Sequence, residues 1–170
     1  MVSRIKRILR GKADFWSLRT INKLLGRRVL FVEKPVEKES FSRKKIEAGG
    51  LRRIYVISPE NHKEVGESRK EMEAVIRSMC KMAKERGVEV IPHLHLESRF
   101  CRDLEKPDKK TEKKVEVTVE FFKHCLGRKP AKFSFGHWRF THKNPHLREM
   151  IERRGMVLAA REPHIYDWWY

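Results

Sequence analysis

Only three cysteines, Cys80, Cys101 and Cys125, occur among the 170 residues, and no two of them form a C-x-x-C pair. An odd and scattered set implies no disulfide framework and reads as reduced intracellular thiols in a cytoplasmic protein. No run approaches the roughly 20 apolar residues that a membrane-crossing helix needs. The first 25 residues also lack the continuous apolar stretch of a secretory leader. No glycine-rich loop is built to cradle a phosphate, which disfavours nucleotide hydrolysis. No serine or cysteine stands in a nucleophile elbow. Fixed-period repeats and low-complexity tracts are absent. Acidic residues are scarce beside basic ones, 23 Asp+Glu against 40 Lys+Arg, for a net charge of +17.

What is present argues for an ordered domain: 39% of the residues are apolar, with four tryptophans and nine phenylalanines. Abundant Glu, Lys and Arg with few glutamines fit a heat-adapted protein. The basic excess is uneven. Residues 1–53 carry 16 Lys+Arg and five acids, a balance of +11, and the remainder carries only +6. Arg4, Lys6, Arg7, Arg10 and Lys12 interleave with Ile5, Ile8 and Leu9, so a basic amphipathic helix is expected within a segment spanning residues 1–27. Such a segment attracts nucleic acid or another polyanionic surface by salt-sensitive electrostatics. It serves equally as a solvated face.

Residues 28–170 read as a single compact α/β domain. Val29–Val32, Ile54–Ile57 and Val88–Ile91 are short apolar runs of strand type. A polar linker with a short helix fills residues 37–48. Between the second and third strands, Met72, Val75, Ile76, Met79 and Ala83 form one apolar helical stripe, opened by a Ser68/Glu71 capping-box pattern. Residues 115–126 fit both periods. Gly127 at the expected stop and a further strand candidate at 131–136 favour helix. Asn144 and Pro145 open the last helix, and residues 156–160 form the last strand. Strands alternating with helices imply a parallel sheet covered on both faces.

Ligand-binding groups in such sheets gather beyond the carboxyl ends of the strands. Glu33 follows the first strand, Ser58 and Asn61 the second, His93, His95 and Glu97 the third, and Ser134, His137, Trp138 and Arg139 the fourth. His93 and His95 alternate in extended backbone and share a face. A carboxylate and two imidazoles from separate strands suit a divalent metal with a position left for water. They read equally as polar residues of strand-end loops.

The order of these motifs resembles the polysaccharide deacetylase family. Gly87-Val88-Glu89-Val90-Ile91-Pro92-His93-Leu94-His95 is similar to the family's strand ending in His-x-His. Leu126-Gly127-Arg128-Lys129-Pro130, followed by Phe133-Ser134-Phe135-Gly136-His137-Trp138, resembles its "LG-x-x-P…FR-x-G-x-W" passage. Asn144 to Gly155 matches the helix leading to its final strands. Phe31-Val32-Glu33-Lys34-Pro35 falls where its F-D-D-G-P strand end belongs. The similarity spans about residues 28–160.

The resemblance implies a parallel sheet closing toward a distorted or incomplete (β/α) barrel. It also implies a divalent metal, zinc foremost, held by Glu33, His93 and His95, and hydrolysis of N-acetyl groups on a carbohydrate. Trp138, His137 and Arg139 would then line the substrate site. Two positions depart from the family pattern. Val32 replaces the general-base aspartate and cannot accept a proton, and Ser134 replaces the arginine that orients that base. Glu33 or Glu97 is left for the base role, and a degenerate member that only binds metal or carbohydrate is the corresponding expectation. The alternative, from the charge, is a nucleic-acid-binding protein using residues 1–53.

Overall fold

The computed structural model describes residues 28–97, 100, 104–136 and 143–159. The expected basic helix lies outside those residues. Five strands form one parallel sheet in the order β1-β2-β3-β4-β5. They are β1 (Arg28–Val32), β2 (Leu51–Ile57), β3 (Glu89–Leu94), β4 (Lys132–Phe135) and β5 (Val157–Leu158). The connecting helices are α1 (Glu39–Glu47), α2 (His62–Val65), α3 (Arg69–Glu85), α4 (Lys109–Leu126) and α5 (Pro145–Glu152), with a 3-10 turn at Pro59–Asn61. No helix among the described residues is long and apolar enough to cross a membrane. The sheet is open.

Among the described residues, the helices pack on one side of this sheet. When every crossover steps the same way and is right-handed, all helices fall on one side. The core divides accordingly. Leu30, Val32, Ile54, Val56 and Val90 pack with Ile46 of α1, Met72, Ile76, Met79 and Ala83 of α3, and Phe122 of α4. Leu94, Phe133, Phe135 and Leu158 pack with Val115 and Val119 of α4 and Leu147, Met150 and Ile151 of α5. Each fully buried side chain of this kind contributes about 1.5–3 kcal/mol. The alternate strand residues Val29, Tyr55 and Ile91, with Phe31 and Ala159, form a separate cluster that, among the described residues, contains no helical one. The pleat that sends Val32 into the helix-covered core therefore sends Phe31 to the other face.

Local chemistry sets the boundaries. Residues 115–126 are helical because their buried positions, Val115, Thr118, Val119 and Phe122, recur at 3.6-residue spacing. Asp108 caps that helix by accepting from the Thr111 amide at 2.7 Å, and Gly127 ends it in the left-handed region at φ 70°. Asn144 caps α5 as expected, accepting from His146 N at 3.0 Å and Leu147 N at 3.3 Å. Ser68 holds the N-cap position of α3 in extended backbone, but its hydroxyl makes no capping hydrogen bond, so the expected capping box does not form.

Pro92 sits inside the central strand β3, where the missing N–H would normally break a ladder. His93 O accepts from Ser58 N on the β2 side, and Leu94 O accepts from Gly136 N on the β4 side. Pro92, of the same parity as Leu94, directs its backbone toward β4. Pairing with β4 begins only at His93↔Ser134. The absent donor thus falls before that ladder starts, and the strand end that carries the histidines is fully paired.

Candidate metal centre

Glu33 emerges from the carboxyl end of β1, and His93 from that of β3. His95 lies two residues further along the same extended run. Parity puts all three on the face that carries Phe31 and Ile91. One ligand atom from each of Glu33, His93 and His95 lies within 4.8 Å of the other two. A tetrahedral donor set with bonds of about 2.0–2.1 Å has its donor atoms roughly 3.4 Å apart. His93 is buried, and Glu33 and His95 are partly exposed, so the centre opens to solvent on one side.

The surrounding groups fix the rings as an ion would require. His95 Nδ1 lies 2.6 Å from Glu64 Oε1. A carboxylate can only accept, so the proton sits on Nδ1 and the lone pair on Nε2. Asn61 holds the same segment from below. Its Oδ1 accepts from His95 N at 3.0 Å, while its Nδ2 donates to His95 O at 3.2 Å and to Glu64 Oε2 at 2.9 Å. His93 Nδ1 is 3.1 Å from Ser134 Oγ; with the proton on Nδ1 and the hydroxyl accepting, Nε2 is the nitrogen that would face an ion. The His93 ring meets Phe31 edge-on at 6.0 Å, and Phe31 stacks on Tyr55 at 4.4 Å. This apolar floor lowers the local dielectric beneath the imidazoles. Burial in that floor pushes the Tyr55 phenol up to about 12.

Gly136 seats His95. A β-carbon at residue 136 would lie 2.5 Å from His95 Cδ2 and 3.3 Å from its Cα. The backbone of Gly136 is anchored by its N–H to Leu94 O at 2.8 Å, so only a residue without a side chain lets the ring lie there. The loop after β1 is pinned by Glu67, whose Oε1 accepts from Val36 N and Glu37 N at 3.1 Å each. That contact limits where Glu33 can swing.

The expected ligand trio therefore converges. Glu97 is exposed and stands outside the converging group. Val32 is 3% exposed in the core beneath the helices. It belongs to the face opposite Glu33, and its side chain does not reach the site. Ser134 occupies the expected arginine position and touches a candidate ligand rather than a base. His137, Trp138 and Arg139, and Arg4, Lys6, Arg7, Arg10 and Lys12, lie outside the described residues. Reading the chain for chemistry missed Glu64, which no local pattern connects to a histidine 31 positions away. It also missed the steric demand on Gly136, whose backbone needs no positive φ.

No family model matches the chain, and neither the curated proteins nor the solved structures contain a significant match.

Proposed function

We propose that this chain is a divalent-metal-binding domain of the polysaccharide-deacetylase type, its sheet an arc of an incomplete (β/α) barrel, directed at N-acetylated carbohydrate. The observation that carries the reading is the convergence of Glu33, His93 and His95 at the carboxyl ends of β1 and β3. Two imidazoles and one carboxylate form a zinc ligand set of the kind that leaves a coordination position open. Bound zinc supplies a Lewis acid for the amide carbonyl and acidifies a coordinated water.

The chain's own residues have separable tasks in this proposal. His93 and His95 present Nε2, each oriented through Nδ1 by Ser134 or Glu64. Glu33 completes the set and, with Val32 buried in the core and Glu64 engaged by His95, is the carboxylate left at this centre to take up a proton. Trp138 would offer a ring face to a sugar.

The test is metal content and acetate release measured on the same preparation. Chelator-treated protein reloaded with zinc should hold one ion per chain and liberate acetate from N-acetylglucosamine oligomers. Failure to bind zinc, or binding unaltered in His93→Ala, overturns the metal centre. Stoichiometric zinc without acetate release overturns only the hydrolytic part.

A further inference from the structure

We propose that Cys80 and Cys125 form a peroxide-responsive thiol pair that closes to a disulfide bridging α3 and α4. The inference is independent of the metal centre. Cys80 lies on the buried stripe of α3 and is fully buried, whereas Cys125, in the last turn of α4, is partly exposed. Cys125 packs against the core cluster that contains Cys80, so both thiols belong to the seam between α3 and α4. Arg77, one turn before Cys80 on α3, donates from Nη1 to Cys125 Sγ at 3.9 Å. Its guanidinium is held over the Phe121 ring at 4.9 Å, one turn before Cys125.

This arrangement divides the roles. The Cys80 S–H and the Arg77 cation stabilise a thiolate at Cys125 and hold that thiol below its ordinary range, against partial burial and the Glu73 carboxylate. Glu73 lies 4.0 Å from Arg77 and offsets part of its charge. The hydrogen bond with Cys125 and burial push Cys80 strongly up. Cys125 is therefore the accessible nucleophile, and Cys80, buried in the same seam, the resolving thiol.

The chemistry balances with a peroxide as oxidant. The Cys125 sulfur attacks one peroxide oxygen; an S–O bond forms, the O–O bond breaks, and the departing hydroxide takes a proton to leave as water. Cys80 then attacks the Cys125 sulfur. The S–S bond forms, the S–O bond breaks, and the second water carries off the Cys80 proton. The peroxide is reduced, and the two thiols are oxidised to one disulfide that closes a loop of about 45 residues.

The experiment treats the reduced full-length chain with equimolar hydrogen peroxide, followed by alkylation and peptide mapping without reductant. The expected result is a peptide pair joining Cys80 to Cys125, reversed by dithiothreitol. A rise in Tm of about 10 °C should accompany it, from the cross-link's effect on the unfolded chain. In Cys80→Ser, a sulfenic acid should persist at Cys125 and be trapped by dimedone. Arg77→Met, a substitution at the partly exposed surface, keeps the test valid if the buried variant fails to fold, and should slow Cys125 alkylation several-fold. A Cys125 that stays reduced, that advances to the sulfinic acid beside a free Cys80, or that pairs with Cys101 overturns the proposal. An Arg77→Met rate equal to that of the unaltered chain does so too.

Discussion

Substituting Gly136 by alanine tests whether the site is a built arrangement of the two histidines. The new methyl group would stand 2.5 Å from His95 Cδ2, against an ordinary carbon contact of about 3.5–4.0 Å. Something must move by roughly 1 Å. The Gly136 backbone is held by its hydrogen bond to Leu94 O at 2.8 Å, and the His95 backbone is gripped on both sides by Asn61. The imidazole is the freest part, and turning it breaks the 2.6 Å contact with Glu64. Overpacking of this kind costs about 1–3 kcal/mol of stability. The displaced ligand should also weaken zinc binding, on the order of 100-fold in affinity. Competition with a chromophoric chelator measures the affinity, and calorimetry the stability. Asn144→Ala is the control, because it loses comparable stability through the Phe100 and Glu105 carbonyls and the α5 cap. Gly136→Ala binding zinc as tightly as the unaltered chain, in a protein that remains folded, would refute the reasoning.

Three further outcomes follow from particular contacts. Glu64→Ala should weaken zinc binding about 10- to 100-fold. Because Glu64 is 53% exposed, chelated protein should lose under about 1 kcal/mol of stability; a large stability loss with unchanged affinity would make Glu64 structural only. Asn144→Ala removes the α5 cap and leaves the Phe100 and Glu105 carbonyls without its Nδ2 donor. The expected cost is about 2–3 kcal/mol, read as a fall in Tm, and an unchanged Tm contradicts it. Tyr55 ionises in the folded chain only at about pH 12. The unfolded phenol ionises near pH 10, so the folded pKa is the raised one. Its contribution is intact below about pH 10 and is lost as pH rises to about 12, a decline on the order of 2–3 kcal/mol. Denaturant titrations across that window, with Tyr55→Phe as reference, should show the Tyr55-dependent decline and its absence in the variant.

The strands were legible because each is a compact apolar run closed by proline, glycine or a polar residue. The convergence of Glu33 with His93 and His95 was legible because strand parity and the carboxyl-end rule of parallel sheets are enough to bring such residues together. Asn144-Pro145 announced its helix because a side-chain cap and a pre-set φ act over one turn. The same local logic overreached at Ser68, where the cap position forms without its side-chain bond. Which side each described helix takes was not legible, since sidedness depends on the order of strands in space. Glu64 and Gly136 were invisible for a related reason. Their roles arise from contacts with a histidine 31 and 41 positions away, and such contacts leave no periodic trace along the chain.

X-ray absorption at the zinc edge on reloaded full-length protein, compared with His93→Ala and His95→Ala, tests the central claim most directly. The predicted result is one zinc per chain with two imidazoles and an oxygen donor at about 2.0–2.1 Å, one imidazole fewer in each variant, and weaker binding in both. A chain that takes up no stoichiometric zinc, or whose zinc shell is identical in all three proteins, would contradict the account.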